Sequence, residues 1–141
     1  MVETIIGKEF PKKVIPLIEA AKTSIDIVVF DWRWYPQDPG NPVQLFNQAI
    51  VRAVRRNVKV RVIANSDEII NTLKSVGVAA KKLITPKLIH VKLMLIDDVI
   101  FIIGSHNYTQ SAFQMNYEAS IISNDLEALL RLKLFFNNIY G

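Results

Sequence analysis

The apolar residues of this chain fall into short runs, separated by stretches in which they recur every three or four positions. That alternation restricts the fold more than any other feature of the sequence. Ile25–Phe30 is a β-branched run of the kind a sheet strand covered on both faces requires. Before it, Pro11–Lys22 places Val14, Ile15, Leu17, Ile18 and Ala21 at helical spacing, and Val2–Gly7 reads as a first strand. Val43–Arg56 repeats the helical pattern and leads into a strand at Val58–Ala64. Asp67–Val76 reads as a short helix capped by Ser66 and stopped by Gly77. Two strands then flank an Asp97-Asp98 turn between Ile89 and Gly104, another strand covers Tyr117–Ser123, and Asp125–Tyr140 closes the chain as a helix. Strands alternating with helices predict an α/β fold with a mixed, mostly buried β-sheet flanked by helices.

A length of 141 residues suits one domain, with one core and no appended module. Half of the residues are hydrophobic and 21% are charged, which excludes a disordered or fibrous chain. The absence of cysteine excludes disulfides, thiolate zinc sites and cysteine nucleophiles. The richest apolar stretch, Leu93–Gly104, is interrupted by Asp97 and Asp98, so no bilayer-spanning segment is expected. The chain opens Val2-Glu3-Thr4 without a basic patch and apolar segment, so the expectation is a cytoplasmic protein without a secretory signal.

Two features stand apart from this framework. The last helix carries Leu126, Leu129, Leu130, Leu132, Leu134, Phe135, Phe136 and Ile139, leaving almost no polar face. Such a helix is buried on several sides, by its own sheet or by a partner subunit. Asp31-Trp32-Arg33-Trp34-Tyr35 enters the proline-rich loop Tyr35–Pro42 and places aromatic and cationic groups together at a strand end. That cluster could stack bases, line an interface or simply pack as a rim.

The candidate chemistry lies in His90-Val91-Lys92-Leu93-Met94-Leu95-Ile96-Asp97, where a histidine and a lysine interrupt an apolar run. In a strand, the period of two puts His90 and Lys92 on one face, about 7 Å apart along the chain. A two-residue loop at Asp97-Asp98 would pair residue 96 with 99, so that 90 faces 105 and 92 faces 103. Ser105 and Asn107 would then emerge on the His90 and Lys92 face, whereas an odd-length loop reverses the parity. An imidazole, an ammonium, a hydroxyl and a carboxamide together combine a nucleophile or general acid with donors suited to phosphate oxygens. The surroundings of His90 lack the clustered carboxylates of a two-metal nuclease, so no metal or other cofactor is expected.

The pattern His90-x-Lys92-x4-Asp97-x6-Gly104-Ser105-x-Asn107 resembles, in full, the HKD signature of the phospholipase D superfamily. Asn116-x-Glu118 is similar to the acidic element that follows the signature, and Ala53–Val62 to the family's helix-to-strand passage. The chain, with one motif, looks most like the small single-motif endonucleases. The resemblance implies a phospholipase D-like sandwich and an active site assembled from two motifs, hence a homodimer with a shared site. It further implies that His90 forms a phosphohistidine while His90 of the other subunit protonates the departing oxygen and then activates water. Lys92 and Asn107 would hold phosphoryl oxygens, and Glu118 would orient His90. Ser105 either contacts phosphate or bonds the backbone at a strand end. Asp97 reads as a structural turn residue, Gly104 as a point of close backbone approach, and His106 lies outside the catalytic set.

The superfamily acts on several kinds of diester, so substrate rests on charge. Arg52, Arg55, Arg56, Lys59 and Arg61 lie between Asp38 and Asp67 with no acid among them, and Lys74, Lys81, Lys82, Lys87 and Lys92 lie likewise between Glu68 and Asp97. These could form a polyanion groove or ordinary solvated faces. The last helix lacks the basic polar face of an interfacial membrane helix, so no stable membrane association is expected. A nuclease acting on DNA, or on RNA, therefore ranks first. A phospholipase D-type lipid phosphodiesterase comes second, and a silent nucleic-acid-binding dimer third.

Overall fold

The computed structural model describes residues 1–141. Twelve elements follow in the order β1 (Val2–Ile6), α1 (Glu9–Ala20), β2 (Ser24–Val28), α2 (Pro42–Arg55), β3 (Lys59–Ile63), α3 (Asp67–Ser75), β4 (Ala79–Lys81), β5 (Leu93–Ile96), β6 (Ile100–Gly104), α4 (Gln110–Gln114), β7 (Ala119–Ser123) and α5 (Leu126–Tyr140). The seven strands form one mixed sheet in the order β1-β7-β6-β5-β2-β3-β4. β2, β3 and β4 run parallel, and every other neighbouring pair is antiparallel. The predicted α/β class and buried sheet are therefore observed; the three-residue β4 and the five-residue α4 were not expected from the sequence.

Strand alternation distributes two cores of unequal size. Ile25 and Ile27 of β2, with Met94 and Ile96 of β5, face a core of 30 buried residues built with α1, α2, α3 and α4. Val28, Leu93, Leu95 and Phe101 face the opposite way, into a cluster of 7 buried residues closed by Leu129 and Phe136 of α5. Asp26 points to this thinner side and is 1% exposed. It is held by Arg61 of β3 at 2.8 Å and by Lys133 of α5 at 2.6 Å. Burial raises the Asp26 carboxyl, but hydrogen bonds and charge from Arg61 and Lys133 outweigh that and hold it below the usual carboxylate range.

The last helix is buried on one side only. Leu129 and Phe136 reach the core, while Leu126, Leu130 and Leu134 are 66%, 56% and 64% exposed. Their i, i+4 spacing makes a single apolar stripe along the outer face. No helix is long and apolar enough to cross a membrane.

Candidate active site

The sheet topology gathers the candidate residues at one edge. The parallel strands β2 and β3 end there, leading into Phe30 and Asn65; β6 ends there at Gly104; β5 and β7 begin there, just after Lys92 and Glu118. Ligands in sheets of this kind bind beyond the carboxyl ends of parallel strands.

His90 and Lys92 precede β5 rather than lying within it. The ladder reaches one rung past the regular strand, since the Gly104 amide donates to the Lys92 carbonyl at 3.4 Å. The exposed His90 ring lies beside the Lys92 ammonium, whose Nζ is 3.3 Å from Nδ1 and 3.4 Å from Nε2. Phe30 backs both groups, its ring centre 5.1 Å from that of His90 and 5.7 Å from Lys92 Nζ. Desolvation pushes the Lys92 ammonium below its ordinary value, partly offset by the Glu118 charge. Asn65 fixes the backbone of this corner: its Nδ2 donates to the carbonyls of Phe30 and Ile89, each at 2.9 Å. The sequence reading missed Asn65 and Phe30; each stands two residues beyond a parallel strand, which was the available signal.

The expected hairpin register needs correction. Asp97 and Asp98 both have positive φ, 55° and 54°, and Val99 joins them in a three-residue loop, so Ile96 pairs with Ile100 and Leu93 with Ile103. Lys92 therefore lies opposite Gly104 instead of residue 103, and the parity argument that placed Ser105 and Asn107 on the His90 face fails. Those residues reach the same edge because β6 has ended and the chain turns there.

Ser105 donates its hydroxyl to Glu118 Oε1 and accepts the Ala119 amide at 3.0 Å. Asn116 Nδ2 donates to the other Glu118 oxygen at 3.0 Å. Glu118 is thus engaged by Ser105 and Asn116, and makes no hydrogen bond to His90 of its own chain, contrary to the expected orienting contact. Asn107 Oδ1 accepts the Asp31 amide at 3.1 Å, which fixes the carboxamide and leaves its Nδ2 without a partner in the chain. No group of three or more His, Cys, Asp or Glu side chains converges anywhere in the chain.

The remaining motif residues are structural. Asp97 accepts the amides of Lys22, Thr23 and Ser24 and the Thr23 hydroxyl, at 2.7–3.1 Å. Burial raises its carboxyl, but those donors dominate and hold it low. A Cβ on Gly104 would lie 2.2 Å from Ser120 Oγ and 2.5 Å from the Ala119 carbonyl, so only glycine lets β6 and β7 approach this closely. His106 is 1% exposed, bonded to Ser120 Oγ at 2.8 Å and to the Gly7 carbonyl at 2.9 Å.

The basic runs of the sequence are partly committed elsewhere. Arg61 is paired with Asp26, Arg52 with Glu19 and Lys82 with Asp67, while Arg56 donates to the carbonyls that end α1. Arg55, Lys59, Lys74 and Lys87 make no ion pair.

A histidine, a lysine and polar donors are thus collected at one sheet edge. Comparison with known proteins gives the family: residues 14–140 match the family described as "Cardiolipin synthase, PLD-like domain". The chain belongs to this phospholipase D-like family. It is 30% identical over 127 residues to the human mitochondrial cardiolipin hydrolase, covering 86% of this chain and 47% of that protein. The chain thus spans about half the length of the curated relatives it matches. The fold is shared with NucT from Helicobacter pylori (TM-score 0.79, 21% identity, covering 99% of this chain and 95% of that one). It is shared equally with Nuc from Salmonella typhimurium, a phospholipase D family member (TM-score 0.80, 20% identity, 99% and 95% covered).

Proposed function

We propose that the chain is a metal-independent phosphodiesterase, an endonuclease hydrolysing DNA or RNA through a phosphohistidine at a site shared by two copies. The observation that carries this reading is the exposed His90 ring beside a partly desolvated Lys92, with the Asn107 Nδ2 donor unpartnered at the same sheet edge. In the first step a ring nitrogen of His90 attacks phosphorus; the N–P bond forms as the P–O bond to the leaving group breaks. The departing oxygen takes a proton from His90 of the partner subunit. That ring then removes a proton from water, which attacks phosphorus, and the N–P bond breaks to regenerate His90. Lys92 and Asn107 donate to the non-bridging oxygens, each such donor contributing about 3–4 kcal/mol in the transition state. Ser105 and Asn116 hold Glu118, whose charge supports the Lys92 ammonium.

A shared site is supported by the apolar stripe Leu126, Leu130 and Leu134, which one copy leaves open to solvent, and by exposed Leu88 and Tyr117 next to the site in sequence. A phospholipid phosphodiesterase is the second reading, favoured by the likeness to the cardiolipin hydrolases and by exposed Ile84 and Leu88 in a loop that also carries Lys82 and Lys87.

The test is hydrolysis in excess chelator of plasmid, single-stranded DNA, RNA and phospholipid vesicles, with acid-labile, base-stable phosphate trapped on the protein. Nucleic-acid cleavage with a label that disappears in His90→Asn supports the proposal. Loss of activity in chelator, or consumption of vesicles alone, overturns it. A strictly monomeric active enzyme overturns the shared site.

A further inference from the structure

The segment Asp31-Trp32-Arg33-Trp34-Tyr35 takes no part in the chemistry above, yet it is fastened to the site. The Asp31 amide donates to Asn107, Tyr108 N donates to the Asp31 carbonyl at 3.0 Å, and Arg33 N donates to the Tyr108 carbonyl at 3.0 Å. Trp32 Nε1 donates to Asn47 at 2.6 Å, and the Tyr35 amide donates to Gln44 at 2.8 Å. The strap is therefore rigid and its position is set by the motif segment itself.

Between this strap and the start of α3 lies a cavity of about 360 Å³, walled by the strap together with Ser66, Glu68, Ile69 and Thr72. Small-ligand pockets occupy roughly 300–1,000 Å³. Two links place it beside the phosphoryl centre: Asp31 follows Phe30, which backs His90, and Ser66 follows Asn65, which holds the Ile89 carbonyl.

Its chemistry is that of a planar ligand with both donors and acceptors. Trp34 and Tyr35 supply aromatic surface. Glu68 is exposed and carries no ion pair, so its carboxylate is free to accept. Arg33 uses Nε and Nη2 on Asp31, at 2.8 and 3.3 Å, and keeps Nη1 as a donor. A quaternary ammonium would also suit aromatic rings and carboxylates, but it would meet the Arg33 guanidinium and leave that donor unused. A guanine base satisfies both, offering adjacent imino and amino N–H groups to a carboxylate and a keto oxygen to a guanidinium.

We propose that this cavity is a nucleobase subsite that seats an unstacked guanine flanking the scissile phosphodiester, with Glu68 accepting its N–H groups and Arg33 donating to its keto oxygen. The inference rests on the nucleic-acid reading above and adds to it a base preference and a preference for single strands, because a base must leave the stack to enter.

The experiment sequences the ends produced from random single-stranded DNA by the native protein, beside equilibrium binding of guanosine, thymidine and phosphocholine probes. Guanine enriched about tenfold at one fixed position from the cut, and flattened in Glu68→Gln, supports the subsite; a good polar contact pair discriminates by about this factor. Preference-free cleavage that Glu68→Gln leaves unchanged overturns the subsite while the nuclease reading stands. If no nucleic acid is cut, guanosine bound by the native protein and lost in Glu68→Gln still supports the cavity assignment. Absence of guanosine binding in that case, or selective phosphocholine binding, overturns it.

Discussion

The chain has two histidines, and their surroundings differ in every respect that matters for chemistry. His106 is stacked on Phe10 with ring centres 4.6 Å apart, and both of its nitrogens are bonded within the fold. His90 is exposed and has only the Lys92 ammonium beside its nitrogens. With fifteen residues between them in the chain, one ring is a brace between β1, β6 and β7 and the other is left free to meet an external group. A polar side chain whose hydrogen bonds the fold completes contributes stability, whereas one left incomplete is open to a ligand.

The strongest way to break this contrast is substitution of both rings. His90→Asn is expected to lower the turnover by on the order of 10⁴-fold or more while leaving the melting transition in place, read by a chelated phosphodiesterase assay and calorimetry. If His90→Asn melted the protein, the ring would be structural after all. Lys92→Met should reduce the rate constant by about 10²–10³-fold. Because burial already disfavours the Lys92 charge, the same variant should hold or slightly raise stability.

His106→Ala should invert the pattern. Removing the ring unpairs buried Ser120 and opens space against Phe10, for about 2–4 kcal/mol of lost stability, with the chemical step nearly unchanged in the folded fraction. Burial holds the His106 imidazole below its ordinary value, so the unfolded chain binds the proton more readily. The stability this group confers is complete above about pH 6.5 and declines as the pH falls below that value. Urea titrations at several pH values should show the decline in the native protein and a smaller one in His106→Gln.

The smallest effect concerns Asp97, whose lowered carboxyl stabilises the fold above about pH 4 and loses that contribution on further acidification. Asp97→Asn keeps one acceptor oxygen, so it should cost about 1 kcal/mol at neutral pH and flatten the acid limb of the stability curve. Equal acid sensitivity in both proteins would show that Asp97 is not the group responsible.

The longer elements were legible because each carries its own signal over five or more residues: Val43–Arg56 repeats the helical spacing, and Ile25–Phe30 is a continuous β-branched run of strand length. β4 and α4 were not, since Ala79–Lys81 and Gln110–Gln114 are shorter than the patterns that would announce them. The hairpin parity was missed for a local reason: two aspartates in the left-handed region make a loop that Val99 extends by one, and no glycine marks it. The fixed spacing of the motif pointed to His90, Lys92, Ser105 and Asn107, but spacing says nothing about partners. That Glu118 meets Ser105, and that Asn65 ties Phe30 to Ile89, depends on chain segments far apart in sequence.

Asp26 has a final implication for how the molecule comes apart. Its carboxylate lies under α5 and takes one cation from the neighbouring strand and one from that helix. Peeling the C-terminal segment away would expose leucines and at the same time strand a negative group with half of its counter-charge. The helix is therefore latched by neutralisation as well as by greasy contact, and a truncation ending before Lys133 should leave a sheet that opens first at β2 and β3.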